Sequence, residues 1–407
     1  MLAQKLTFSP DLDESFFLGL PLGLAVFVLR GDGDPYVSKT ANLRKRLQRM
    51  LSPPREQSKR LNLRDRVREI EFTMTGSDFE SQFLLYRIVR ETFPKTYPAR
   101  LRLRPAPLLK FHLDNEYPRA SVTTKLAKFA PIDVAGTGEH VHSPKTNLYY
   151  GPFPSRSLAE KFASDALDFF KMRRCVEDLH PDPRFPGCVY SEMKMCLAPC
   201  FRGCTEDDYH HEVSRVQKFF DTQGQSLIRE LAQERDRASA DLAFEEAAAI
   251  HTKLEKLKPL VAQLPEIVRR VDQLRALIIQ PGVPREGQSQ AQSISLFLFS
   301  ACTLSGPLPF SLAPVAESRS MESRLQEAIV NFPAAKPATI SERSEHLAIL
   351  KRWHYRSTRV GEIFFADSNG QWPMRRMVRG ISRVAKGEKP QEAVPTFSAS
   401  QPTPPPS

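Results

Sequence analysis

Five of the six cysteines in this chain fall within thirty residues, in the pattern Cys175-x12-Cys188-x7-Cys196-x3-Cys200-x3-Cys204. Pro181, Pro183, Pro186 and Pro199 interrupt the same stretch, which has neither helical nor strand periodicity. Such a segment reads as a loop with little order of its own. Four thiols at irregular spacing in a loop mean either a metal site or unligated buried cysteines. Four thiolates complete a tetrahedral Zn²⁺ site or a [4Fe–4S] cluster, and the paired C-x2-C knuckles of zinc ribbons are absent. Cys204 is then a spare thiol or a substitute ligand, and Cys302, in an apolar run, is ordinary core. His180, His210 and His211 lie nearby, but nothing requires them as ligands. His140 and His142 sit in a glycine-rich loop and are expected to face solvent.

A disulfide framework needs an oxidising compartment, so export signals matter. Residues 16–29 are uncharged but too short to cross a bilayer as a helix. They follow Asp11, Asp13 and Glu14 rather than the basic region of a signal peptide. Residues 287–316 are also uncharged, but six serines and three prolines interrupt them. No membrane span and no export signal are expected; a cytoplasmic location and reduced thiols are. The 407 residues suggest two or three domains. The formal charge of +11 fits an anionic partner, nucleic acid first and a membrane surface second.

Along the chain, residues 24–29 and 35–37 flank Gly31-Asp32-Gly33-Asp34, a hairpin signal. Leu43, Leu47 and Leu51 recur at spacing four among Arg44, Lys45, Arg46 and Arg49, predicting a basic amphipathic helix capped by Asn42. Residues 69–75 alternate as a strand with Ile70, Phe72 and Met74 on one face. Ser77 then opens a helix that Pro94 ends. Residues 99–150 read as strands and loops, 158–172 as a helix, and 217–260 as helix broken near 241–244. Residues 293–299 and 360–367 read as strands and 341–355 as a helix. The Pro/Ser/Thr/Gln-rich residues 388–407 read as a disordered tail.

Three separated motifs point to one family. Ala25-Val26-Phe27, then Tyr36-Val37-Ser38-Lys39, then Asn42-Leu43-Arg44-Lys45-Arg46-Leu47 resemble the GIY-YIG nuclease signature. The cysteine series is the second motif, and Ala240-Asp241-Leu242-Ala243-Phe244-Glu245-Glu246-Ala247-Ala248 is the third. This last resembles the UVR helical hairpin by which the UvrB and UvrC components of excision repair recognise one another. Their order, with Tyr117-Pro118-Arg119 and Tyr150-Gly151-Pro152-Phe153 between, resembles the UvrC family of bacterial excinucleases over roughly residues 20–260. No Asp-x-Ser-His segment of the family's RNase H-like domain and no helix-hairpin-helix motif is found. Residues 265–385 are expected to be a divergent replacement.

The resemblance implies roles for particular residues. Two tyrosines and a lysine of the family prepare a water, an arginine holds the phosphate, and a glutamate binds the divalent metal. Tyr36, Lys39 and Arg46 match their positions, Phe27 stands where the first tyrosine belongs, and Ser38 replaces a glycine. Counting nine residues back from Pro94 to the metal glutamate reaches Leu85. Glu80 and Glu91 lie five and six residues away, roughly 120–140° round the helix, so neither takes its place. The family's asparagine beyond the proline is missing from Thr96-Tyr97-Pro98. Lost catalysis is the expectation, with Mg²⁺ relevant only if the site is active. Lys39, Arg44, Lys45, Arg46 and Arg49 are expected to bind the DNA backbone, in a stretch 39–69 holding eleven Lys/Arg against three Asp/Glu. The resemblance further implies a [4Fe–4S] cluster on Cys175, Cys188, Cys196 and Cys200, with zinc the alternative. It also implies docking of UvrB, the helicase component of the excinuclease, on the hairpin 227–258, although His251 and Thr252 stand where Arg-Asp is usual. In that hairpin Leu227, Ile228 and Leu231 are expected to face Ala247, Ala248, Leu254 and Leu257, with Leu242 and Phe244 at the bend.

The expected architecture is an α/β GIY-YIG endonuclease-type domain (20–100), linker strands with a four-cysteine cluster module (101–206), a helical region with the UVR-like hairpin (207–262), and a divergent α+β region (263–387). The expected function is a UvrC-like DNA-binding protein of nucleotide excision repair with an inactivated nuclease site. The alternative is an active structure-specific endonuclease making a single incision, and a third class is an iron–sulfur regulatory protein outside repair.

Overall fold

A computed structural model describes residues 2–53, 61–127, 146–284, 293–313, 320–333 and 338–389. His140, His142 and the tail from residue 390 lie outside the described residues. The chain divides into two compact units: the described parts of Met1–Pro105 with Leu274–Pro390, and Ala106–Gln273.

The first unit opens with β1 (Gln4–Thr7), α1 (Glu14–Leu18), β2 (Ala25–Gly31), β3 (Tyr36–Thr40), α2 (Leu43–Leu51), β4 (Val67–Met74), α3 (Asp78–Thr92) and the short α4 (Tyr97–Leu101). The strands form one antiparallel sheet in the order β1-β4-β2-β3. The hairpin falls where the Asp-Gly signal put it, pairing Phe27 with Ser38 and Leu29 with Tyr36. A side chain at Gly31 would run into the Arg66 carbonyl, so glycine is required at this irregular strand end. Asn42 caps α2 by accepting from the Lys45 amide at 3.0 Å, and Ser77 caps α3 by accepting from the Glu80 amide at 3.1 Å. Strand alternation gives the sheet two buried faces. Phe27, Leu29, Ile70 and Phe72 pack with Leu43, Leu47 and Met50 of α2. Val26 and Val28, pointing the other way, are also fully buried, on the face that α3 covers.

The second unit contains β5 (Leu108–His112), β6 (Arg119–Thr123), β7 (Leu148–Gly151), α5 (Arg156–Leu167), α6 (Val189–Glu192), α7 (Glu206–Asp221), α8 (Gln225–Ala240), α9 (Phe244–Ala262) and β8 (Arg269–Arg270). Its strands order as β6-β5-β7-β8. Two helical expectations change. The helix expected to reach Met172 stops at Leu167: the Phe169 and Phe170 amides tighten onto the Ala166 and Leu167 carbonyls, and beyond them α7 takes the chain, Glu212 accepting from the Lys171 amide and the Tyr209 hydroxyl from that of Arg173. The helical stretch expected from 217 to 260 has a second break at Thr222–Gly224. Gly224 adopts φ +86°, and a Cβ there would lie 2.3 Å from a Val261 methyl, so glycine lets α8 start against the end of α9.

The chain then returns to the first unit with β9 (Arg275–Pro281), β10 (Ser293–Ser300), β11 (Thr303–Ser311), α10 (Met321–Val330), α11 (Ile340–His354), β12 (Glu362–Phe365) and α12 (Met374–Ala385). These strands make a second antiparallel sheet, β11-β10-β9-β12. Cys302 is fully buried, as expected, in a two-residue turn with positive φ at Ala301 and Cys302. Leu277, Ile279, Ile294 and Leu296 of one face pack with Met377, Ile381 and Val384 of α12. The other face meets α3. The Phe297 ring lies 5.0 Å from Phe79 and 6.3 Å from Phe83, and Trp353 of α11 lies 5.0 Å from Phe79. Glu345 accepts from Tyr86 (2.8 Å) and Tyr97 (2.9 Å), and Glu342 pairs with Arg90. Residues 20–100 and 263–387 are separate spans in the sequence reading, and the described parts of residues 274–390 fall in one unit with those of residues 1–105. Within that unit α3 is apolar on two sides, so one helix serves both sheets.

This shared core makes a prediction. Phe297→Ala removes a fully buried ring between the two sheets and is expected to cost about 3–5 kcal/mol. Urea unfolding followed by circular dichroism measures it. A midpoint unchanged from the parent protein contradicts a common core.

Candidate functional site

β3 is the edge strand of the first sheet, and its side chains alternate between the two faces. Tyr36 points to the α2 face, where Arg46 Nη2 donates to its hydroxyl at 2.9 Å and the Phe27 ring lies 6.1 Å away. Lys39 points to the α3 face, and its Nζ donates to Asp78 Oδ1 at 2.6 Å. Arg356, just beyond α11, holds the other oxygen of Asp78 at 2.6 Å. Burial pushes the Asp78 carboxyl up, but Lys39 and Arg356 more than reverse this and hold it below the usual carboxylate range. The structure thus brings Tyr36 and Arg46 together on the α2 face, while Lys39 of the same strand faces α3 and is already paired.

Asp78 and Arg356 escaped the sequence reading. The available signal was spacing: Asp78 is seven residues before Leu85, so the two share a helix face, about 10 Å apart along the axis. Glu80 points elsewhere. It accepts from the Gly76 amide at 3.0 Å and lies 3.4 Å from Ser295 of β10, and its burial raises its pKa. Glu91 is exposed. Among the expected DNA-contacting residues, Lys45 and Arg49 are exposed one turn apart, whereas Arg44 spends its Nε on the Leu20 carbonyl at 2.7 Å.

In the second unit, Cys175, Cys188, Cys196 and Cys200 line one pocket. Short local bonds shape the loop: Ser191 and Glu192 amides donate to the Cys188 carbonyl, Asp182 to the Cys200 carbonyl, and Ala198 to Cys196 Sγ at 3.3 Å. Lys194, Ala198 and Arg202 adopt positive φ, tight turns that bring the thiols inward. Burial, and then the neighbouring Cys175, Cys200 and Cys188, push the Cys196 thiol up to about 11. Among the described residues, no three His, Cys, Asp or Glu side chains are gathered as a single metal ion requires. Cys204 lines a different pocket, with Lys171, Asp208 and Glu212. None of His180, His210 and His211 lines either pocket.

One residue behind the cysteines was not foreseen. Arg173 is 1 % exposed, yet among the described residues its guanidinium meets no carboxylate. It donates to the Tyr117 and Glu177 carbonyls at 2.8 and 2.9 Å and to Cys175 Sγ at 3.3 Å. A buried cation without an anionic partner is costly, and the only group in this set able to carry negative charge is the Cys175 sulfur.

α8 and α9 form an antiparallel hairpin. Leu227, Leu231, Ile250, Leu254 and Leu257 are buried along it. Ala248, expected inside, is exposed and Ile250 takes the inner position, because α9 begins at Phe244 and its inward stripe runs 250, 254, 257. Leu242 and Phe244 at the bend are 71 % and 63 % exposed, and Leu242 adopts φ +59°.

Comparison with known proteins matches residues 109–219 to the UvrC/Cho excinuclease middle domain and residues 225–258 to the UvrB/UvrC motif. The four pocket cysteines lie in the first span and the hairpin in the second. The UvrABC system protein C of Rickettsia felis is 25 % identical over 299 residues, covering 73 % of this chain and 42 % of its own length. That of Idiomarina loihiensis is 28 % identical over 233 residues, covering 55 % and 34 %. This chain is therefore UvrC-like, and it spans about two fifths of the length of the curated relatives it matches. No solved structure matches it. No helix among the described residues is long and apolar enough to cross a membrane.

Proposed function

We propose that this UvrC-like chain is a DNA-binding component of nucleotide excision repair whose GIY-YIG-type site no longer cuts. The observation that carries this reading is the state of α3. Leu85 stands where the family holds its metal carboxylate, and the one acidic side chain on that face, Asp78, is closed between Lys39 and Arg356. These residues do not fit a Mg²⁺ site, which needs carboxylate oxygens with open coordination. The second reading, an active single-incision endonuclease, rests on Asp78 leaving that ion pair to bind metal.

We propose that the four cysteines lining one pocket hold a [4Fe–4S] cluster, a single zinc ion being the alternative. A [4Fe–4S] cube spreads its thiolates around a larger body than one ion does, and the cluster with its thiolates carries net negative charge opposite Arg173. Cys175, Cys188, Cys196 and Cys200 would hold it, and it would serve as a four-point anchor for the loop. The hairpin offers Leu242 and Phe244 to the UvrB partner of such a system. A double Leu242→Ser/Phe244→Ser variant is expected to lose co-purification with UvrB while keeping its helix content, since both residues are exposed. Retained co-purification rules out this contact surface.

DNA binding is tested by its salt dependence. Lys45→Ala with Arg49→Ala removes two exposed cations, and the log–log salt slope on duplex DNA is expected to flatten by about 2, at roughly 0.9 per phosphate contact. Wild-type protein without salt-dependent DNA binding overturns the proposed function.

A further inference from the structure

The outer face of α12 carries charge that the fold does not use. Four arginines lie on this helix: Arg375, Arg376, Arg379 and Arg383. Arg383 is structural. Its guanidinium grips both oxygens of Glu362 at 2.6 Å, and that carboxylate is buried at the sheet. The other three are exposed, and among the described residues none of them forms an ion pair; the Arg379 Nε makes only a 3.4 Å contact with the Arg375 carbonyl of the helix itself.

This placement costs the helix stability. Arg375 and Arg379 are one turn apart, and like charges at that spacing repel. Arg375 and Arg376 sit in the first turn, where a cation opposes the helix dipole, and no acidic residue stands there to offset them. The inner face, by contrast, is committed. Met377, Ile381 and Val384 are buried in the core cluster, and a Cβ on Gly380 would lie 2.4 Å from the Phe364 ring. The helix is thus held tightly to the second sheet with three guanidiniums turned outward. α12 covers the sheet face opposite the one that meets α3, so these arginines lie on a different layer of the unit from Lys45 and Arg49.

We propose that Arg375, Arg376 and Arg379 form a second duplex-DNA contact surface, recognising the phosphate backbone and not the bases. The inference builds on the DNA-binding reading above and assigns part of it to the C-terminal sheet. Charge complementarity selects the occupant. Duplex DNA presents closely spaced phosphates along its length, and guanidinium forks donate to such oxygens in pairs. A helix fixed to a sheet offers the forks from set positions without a backbone ordering cost on binding.

The test uses the full chain and a short random-sequence duplex titrated at several salt concentrations. The triple variant Arg375→Gln/Arg376→Gln/Arg379→Gln removes the charges while keeping helix propensity. Its log–log salt slope is expected to be flatter than wild type by about 2–3, with weaker binding at low salt and no change between sequences. The matching triple lysine variant is expected to keep the wild-type slope, which separates lost charge from a disturbed helix. A slope unchanged in the glutamine variant overturns the proposal, and so does loss of slope in both variants. If Lys45→Ala/Arg49→Ala lowers the slope and the α12 variant does not, this surface alone is refuted. If wild-type protein shows no salt-dependent binding, the DNA-binding reading fails as well. Binding to anionic lipid vesicles that depends on the three arginines, with the DNA slope unchanged, also overturns it.

Discussion

Protein purified without oxygen is expected to be brown, with a broad visible charge-transfer absorption that bleaches on oxidation. Its loop from Cys175 to Cys200 carries three interior prolines before Cys188 and a fourth before Cys200, and its only regular pieces are the short α6 and one 3-10 turn. Such a segment gains little from its own hydrogen bonds, so a four-point metal anchor would supply much of its folding free energy. Any single Cys→Ala among Cys175, Cys188, Cys196 and Cys200 is expected to remove most of the colour and open the loop to protease. Cys204→Ala is expected to leave both intact, because Cys204 lines the neighbouring pocket instead of the shared one. Cys302→Ala is expected to leave the colour unchanged, since it belongs to the other unit. Colourless protein with one tightly held zinc favours the four-cysteine zinc site. Protein with neither metal, equally protease-resistant after Cys188→Ala, leaves unligated cysteines.

No metal-dependent nicking above background is expected from the unmodified protein with Mg²⁺ or Mn²⁺. Phe27 is fully buried among the α2-face core residues and brings no hydroxyl to Tyr36. Leu85 brings no carboxylate, and Lys39 is held by Asp78. Losing a metal ligand or a key polar group costs orders of magnitude in rate. Leu85→Glu with Phe27→Tyr is expected to restore weak cleavage at most, because Asp78 still competes for Lys39. Robust Mg²⁺-dependent cleavage abolished by both Arg46→Ala and Asp78→Asn would falsify the lost-catalysis reading and assign the metal to Asp78.

Much of the candidate site was legible because its signals are local. Tyr36, Lys39 and Arg46 are placed by a hairpin turn and by a capped helix, each set within a few residues. The four cysteines converge through tight turns inside one loop. The hairpin bend at Leu242–Phe244 follows from a break between two amphipathic runs. Where local reading failed, a distant group had intervened. After Leu167 the chain leaves the helical path and α7 captures the amides of Lys171 and Arg173, and nothing in residues 158–172 announces that capture.

The sequence by itself determined most element types before residue 265, the caps at Asn42 and Ser77, the hairpin that carries Tyr36 and Lys39, and the crowding of five cysteines into one proline-rich loop. These depend on backbone preferences and short-range periodicity, which neighbouring residues set. Only the tertiary structure decided that the C-terminal sheet shares a core with the first one through α3, that Arg356 closes Asp78 from 278 positions away, and that a buried Arg173 stands behind Cys175. Those pairings are chosen by which apolar faces bury one another. Once Phe79 and Phe83 pack on Phe297, the charged residues at the rim must find partners among whatever that packing brings near. Spacing along a chain carries no record of that selection.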